Sequence, residues 1–158
     1  MQAQKGLLSA VALFFCMLEW LLVERLLLSA LFGGLIGIER EMHAKPAGFR
    51  THVLVCMGAA LFTLVSVIMI GNSHSFVDLS RIAAGVVTGI GFLSAGSIFR
   101  DKDRVSGLTT AADIWVLAGI GMAVGFGFYI LAAVATVVSL IVLVLGRKFD
   151  DKLKDKRN

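Results

Sequence analysis

The chain has 158 residues, of which 58% are AVILMFWYC, 16% are charged and 17 are glycine, with a formal net charge of +4. Soluble domains carry about 25% charged residues and a small one leaves about a third of its unfolded-chain surface exposed, so a mean hydropathy of +0.88 excludes a monomeric soluble enzyme. Disorder is excluded by the same balance, and a disulfide scaffold by there being only two cysteines.

The first 19 residues hold Lys5 and then the apolar run Gly6–Leu18, which has the proportions of a signal peptide. Glu19 follows, and no A-x-A cleavage site is visible. A sixth span over Leu7–Val23 would include Glu19 and leave the next span too short. Residues 1–19 therefore read as an interfacial or dispensable extension, or as sequence upstream of a start at Met17.

About 20 predominantly apolar residues cross a bilayer as a helix, and five such stretches follow. Span one runs from about Trp20 to Ile38 and stops at Glu39-Arg40-Glu41. Span two runs from about His52 to Gly71. Span three starts at Arg81 and reaches Phe99, before the charged run Arg100–Arg104. Span four runs from about Leu108 to Phe126 and span five from about Phe128 to Gly146, ending at Arg147-Lys148. None shows the period-2 alternation of a strand. The expected fold is an all-α polytopic transmembrane helical bundle, with a membrane domain over 20–146 and a basic tail over 147–158.

Lysine and arginine fall in alternate loops: Arg40, Lys45 and Arg50 after span one, Arg100, Lys102 and Arg104 after span three, and the tail. The loop over residues 72–80 up to Arg81 and the turn after span four carry none. The positive-inside rule then places the N-terminus outside and the C-terminus in the cytoplasm. The net charge reflects this asymmetry and calls for no nucleic acid. The tail, a solvated end that fixes topology, can also meet anionic headgroups. Cys16 and Cys56 lie near opposite faces, too far apart to bond.

Small residues recur at helical spacing. Gly33 and Gly37 lie four apart, as do Gly85 and Gly89, and Gly121 and Gly125. In span three Ala95 also lies four after Gly91, and Gly91 and Gly96 are further candidates. Residues four apart share a helix face, and small-xxx-small faces let helices approach closely in lipid. These eight glycines are candidate packing positions. They read as a tightly packed bundle, with a homodimer seam or an unwound site at Gly89-Ile90-Gly91 as functional alternatives. Span five, rich in Val, Leu and Ile, reads as a lipid-facing cover.

Asp113 is the acid read inside a span, one turn into span four, with Thr109 and Thr110 before it. An ionisable group within a membrane needs a partner. Arg40, Arg50 and His52 are at the same level, and Glu39 ends span one there. Glu39, Arg40, Arg50, Thr51, His52, Thr109, Thr110 and Asp113 thus form a candidate polar cluster. Two readings stay open: Asp113 pairs with Arg50 or Arg40 and locks span four in place, or Asp113 and Glu39 coordinate a hard cation or relay a proton. Asp78 and Arg81 read as a cap at the outer start of span three. Asp101-Lys102-Asp103 reads as a solvated turn. His43, His52 and His74 have no zinc spacing. No catalytic triad, metal set, nucleotide loop or cofactor motif is legible.

The chain resembles the MgtC/SapB family of bacterial inner-membrane proteins. Four blocks carry the resemblance. The first is Gly37-Ile38-Glu39-Arg40-Glu41. The second is Ala47-Gly48-Phe49-Arg50-Thr51-His52-Val53-Leu54-Val55 with Gly58-Ala59-Ala60-Leu61-Phe62. The third is Arg81-Ile82-Ala83-Ala84 with Gly89-Ile90-Gly91-Phe92-Leu93 and Ala95-Gly96. The fourth is Gly107-Leu108-Thr109-Thr110-Ala111-Ala112-Asp113-Ile114-Trp115 with Gly119-Ile120-Gly121. The resemblance implies a five-span bundle, non-enzymatic action, and roles in magnesium limitation, acid stress and survival in host cells. It also implies action by binding another membrane complex, with F-type ATP synthase as the precedent. The family's motif positions are Glu39, Arg40, Arg50, Thr51, Asp78, Arg81, Gly107, Thr109, Thr110 and Trp115. Gly85 stands where relatives usually carry Gln, Ser94 where Gly is usual, and Ser97 where an aliphatic residue is usual. The expected partners are the bilayer, a membrane protein such as that synthase, and further copies of the chain as a homo-oligomer.

Overall fold

The computed structural model describes residues 2–71, 78–101 and 104–155, with no side chain before Met17 described. Among the described residues there are five helices: α1 (Gln2–Met42), α2 (Phe49–Gly71), α3 (Leu79–Ala95), α4 (Leu108–Gly125) and α5 (Tyr129–Asp155). They match the five expected spans in order. In lipid each segment must satisfy its own backbone, and a helix does so. Windows over Glu19–Met42, Phe49–Met69, Leu108–Phe126 and Tyr129–Phe149 are long and apolar enough to cross a membrane. α1 continues without a break through the expected extension. Cys16, His74, Lys102 and Asp103, on which expectations also fell, lie outside the described residues or side chains.

Span three is shorter than expected. Its apolar part covers Ser80–Ala95, and α3 ends where the N–H of Gly96 bonds back to Phe92 and Ser94. The chain then forms a hairpin, β1 (Phe99–Asp101) against β2 (Arg104–Ser106), with Arg100 opposite Val105. The physical reason is charge: the run from Arg100 cannot enter hydrocarbon, and the hairpin pairs its backbone groups with one another.

The molecule is arranged around α4. More than half of its span is buried, 56%, against 17% for α5. Ile36, Cys56, Leu117, Ile120, Val124, Ala132 and Leu143 make the apolar core. Large side chains on the other faces, such as Leu27, Phe62, Val138 and Val142, point outward. α5 lies on the outside of the bundle, with Ala132 and Thr136 turned inward.

Two glycine pairs clasp α2 from either side. A Cβ on Gly33 would lie 2.9 Å from Cys56 Cβ, and one on Gly37 2.9 Å from His52 Cβ. A Cβ on Gly121 would strike the Cys56 carbonyl, and one on Gly125 would lie 2.7 Å from Thr63 Cβ. The close approach depends on the missing side chains. The other four glycines do not pack in this way. Gly85, Gly89 and Gly91 face nothing within 4 Å, and Gly96 caps α3. α2 meets α4 through Ala59, Ala60 and Thr63. Toward α3 it presents Leu54, Gly58, Ala59 and Phe62, which line an open groove.

Gly121→Leu should therefore lower the unfolding free energy in detergent by roughly 1–3 kcal/mol through overpacking, whereas Gly85→Leu should melt close to wild type. Equal melting of the two variants by intrinsic fluorescence would refute this account of the packing.

Candidate functional site

The polar residues gather where α1 ends, α2 begins, α4 begins and α5 nears its end. Gly107 prepares this end. It adopts φ +87 before α4, and a Cβ there would run into the Ser97 carbonyl. Glycine avoids both the left-handed strain and the clash. The hairpin can then fold against the start of α4, and Thr110 and Asp113 turn inward.

His52 is completely buried. Its Nδ1 lies 2.8 Å from the Gly48 carbonyl, which can only accept, so we assign the Nδ1 proton to that bond. Nε2 lies 2.9 Å from Asp113 Oδ2. Two acceptors do not approach so closely unless a proton lies between them, so the His52–Asp113 pair holds one. Arg40, 4% exposed, brings Nε to 3.5 Å from the same Oδ2. It donates through NH2 to Thr110 Oγ1 at 3.5 Å. Its NH1 lies 3.5 Å from Glu39 Oε2. Glu39 Oε1 in turn accepts from Arg147 NH1 at 2.9 Å and faces His43 Nδ1 at 3.3 Å. A continuous network thus runs from the buried Asp113 out to Arg147 on α5.

Of the eight expected cluster residues, the structure brings together Glu39, Arg40, His52, Thr110 and Asp113. Arg50, Thr51 and Thr109 are exposed and take no part in the network. On α2 each residue advances about 100°, so Arg50 and Thr51 point away from the face that carries His52. Thr109 lies exposed in the first turn of α4. Asp113 is held by Arg40 and His52, not by Arg50. Of the remaining motif positions, Trp115 is exposed.

Asp78 is the N-cap of α3. Its Oδ1 accepts from the Ser80 N–H at 2.9 Å. Hydrogen bonds from the Ser80 side chain and backbone hold its carboxyl below the usual range. Arg81 contributes a backbone bond to the Asp78 carbonyl. Ser94 is buried, and its hydroxyl has no partner among the described residues.

Sequence reasoning missed three features. Glu24 and Arg25 also fall inside span one, so Asp113 is not alone there. Glu24 is exposed. Arg25 donates from NH1 to the Gly125 carbonyl at 2.8 Å and from Nε to Tyr129 Oη at 3.0 Å. It thereby closes the α4–α5 turn, where Gly127 has φ +86. An arginine within a span was the signal available. Arg147, assigned to the tail, joins the network across 108 positions, and nothing local in the sequence marks that. His43 could have been found from its i,i+4 spacing to Glu39.

Chemically, the buried carboxylate of Asp113 and the half-buried one of Glu39 are already opposed by guanidinium groups. Among the described residues no group of three or more His, Cys, Asp or Glu side chains could hold a metal ion. Arg40 sits between Glu39 and Asp113, where a cation bridging the two acids would have to lie.

The sequence pattern of the MgtC family matches residues 26–152, a stretch that includes every residue of the network. YhiD of Escherichia coli (strain K12), named as a candidate magnesium transporter, is 48% identical over 138 residues, covering 85% of this chain and 64% of YhiD. Protein SrpB of Synechococcus elongatus is 43% identical over 136 residues, covering 79% of this chain and 75% of SrpB. Protein MgtC of Brucella abortus (strain 2308) is 46% identical over 117 residues, covering 74% of this chain and 48% of that protein. The chain thus spans under two thirds of YhiD and about half of this MgtC. No solved structure matches it.

Removing one partner of a buried ion pair costs about 3–5 kcal/mol, so Asp113→Ala should lose stability of that order in detergent melts. Arg50→Gln should stay within about 0.5 kcal/mol of wild type, as exposed substitutions do. Arg25→Met should lose about 1.5–3 kcal/mol, the range for hydrogen bonds from a charged group. A larger loss for Arg50→Gln than for Asp113→Ala would contradict the assignment of partners.

Proposed function

Because the chain belongs to the MgtC family of membrane proteins, we propose that it is a non-enzymatic protein of the bacterial inner membrane that binds and modulates another membrane complex. The observation that carries this reading is the pairing of the network's acids with arginines, with Glu39 Oε2 and Arg40 Nε meeting their partners as ion pairs at 3.5 Å without a hydrogen bond. Glu39 and Asp113 face Arg40 and Arg147, which makes a lock between helices and opposes a cation path. Transport sites use unwound helices or several free ionisable groups near the midplane, and the network here lies at one end of the bundle.

The family resemblance nominates F-type ATP synthase as the first complex to test and adaptation to low magnesium or acid as the setting. Basic residues cluster at the end of the bundle that holds the network, and this supports the N-out, C-in orientation. The outward apolar faces of α1, α2 and α5 are available to a partner span or to further copies of the chain.

The name of the E. coli relative favours a second reading, a cation or proton carrier using Asp113 and Glu39. The position of Arg40 between those acids weighs against the cation form.

The test is the ATP hydrolysis rate of F-type synthase in inverted bacterial membrane vesicles, with and without this protein. A regulator bound to the synthase lowers the rate, and Asp113→Asn, which weakens the lock without changing the spans, restores it in part. A proton leak relieves back-pressure, raises the rate and supports the carrier. An unchanged rate rejects both actions on the synthase.

A further inference from the structure

The groove between α2 and α3 is a distinct feature, separate from the polar network. Its volume is about 680 Å³. Leu54, Gly58 and Phe62 line it from α2, and Gly85, Gly89 and Leu93 from α3. A Cβ on any of the three glycines would meet nothing within 4 Å, so the floor is open rather than filled by a neighbouring helix.

Along α2 the lining extends from Leu54 to Ser66, which at 1.5 Å per residue is about 18 Å. One leaflet of a bilayer contributes about 15 Å of the hydrocarbon core, half of about 30 Å. The length of the groove fits a hydrocarbon chain of one leaflet.

The mouth of the groove is polar. Arg50 and Thr51 lie one turn before Leu54, at i−4 and i−3, and so share its face. With Lys45 and Gly48 they line a second pocket of about 450 Å³ on the α1–α2 loop. The side chains of Lys45 and Arg50 are exposed and form no ion pair among the described residues. Glu41 also lines this pocket, but its Oε2 is held at 2.7 Å by the Phe49 N–H. A helical side chain leans toward the N-terminus, so Arg50 reaches away from the groove toward headgroup level.

We propose that this face binds an anionic phospholipid, with one acyl chain along the α2–α3 groove and the phosphate at Lys45 and Arg50. The charge at the mouth selects the headgroup, and the open glycines admit the chain. The site assigns a role to Arg50 and Thr51, which the buried network leaves aside.

The test uses the full chain, purified in detergent and offered equal amounts of phosphatidylglycerol and phosphatidylcholine with identical acyl chains. Native mass spectrometry reads the lipid retained. Each basic residue near an anionic headgroup is worth roughly fivefold, the equivalent of about 1 kcal/mol, so the two together should favour phosphatidylglycerol by up to roughly 25-fold, less what the charge of Glu41 offsets. The double variant Lys45→Gln, Arg50→Gln should lose that preference while keeping weak retention of both lipids. Gly89→Leu, and separately Gly85→Leu, should abolish retention of both while melting like wild type. Soluble glycerol phosphate should not displace bound phosphatidylglycerol. Equal retention of the two lipids by the wild type would overturn the proposal. So would wild-type retention in both glycine variants, displacement by glycerol phosphate, or an efficient cross-link between copies through Gly85→Cys.

Discussion

The carboxylate of Asp113, shared between His52 and Arg40 inside a bundle that faces lipid, is the constraint around which the rest is organised. A charge in that position has no water to turn to, and leaving it unpaired is far more expensive than at a protein surface. Both partners come from other helices, one from α1 and one from α2. The pairing therefore fixes three helices against one another at a single point. It also requires α2 to lie close to α1 and α4 at that level. The glycines make this approach possible: Gly37 lies against His52 itself, and Gly121 lies against Cys56 one turn further on. Electrostatics and packing are one device here, since a bulkier residue at either glycine would pull His52 away from Asp113.

Several polar side chains lie in the interior and many large apolar ones on the outside. Arg40, His52, Thr63, Thr110, Asp113 and Thr136 are buried, while leucines, valines and phenylalanines face outward. Lipid explains the inversion. Apolar side chains gain nothing from leaving an apolar solvent, so the helices are held by close contact and interior hydrogen bonds. Thr63 and Thr136 satisfy themselves on the carbonyls of Ala59 and Ala132 in their own helices. At the other end of the bundle, Arg25 ties α1 to the α4–α5 turn. The bundle is thus stapled by arginines at both ends, with α4 between them.

α3 stands apart from this scheme. It is capped by Asp78 at its start, carried into the hairpin at its end, and separated from α2 by the groove. The well-clasped set of α1, α2, α4 and α5 is the stable frame. The α2–α3 side is where the molecule is open to its surroundings.

Much of this was legible in the sequence. Hydropathy fixed the membrane class and the all-helical fold, because a span's length and apolarity are properties of one segment. Spacing identified Gly33, Gly37, Gly121 and Gly125, and the rarity of charge within spans picked out Asp113. The four motif blocks named the family. Tertiary structure decided the rest. Only the rotation of α1 and α2 about their axes selects Arg40 over Arg50 as the partner of Asp113. Only chain topology brings Arg147 to Glu39. Gly85 and Gly89 have the same spacing as the packing glycines yet face an open groove. A sequence states what each face of a helix can do. Which faces meet depends on all the helices at once, since each face can be buried against only one neighbour.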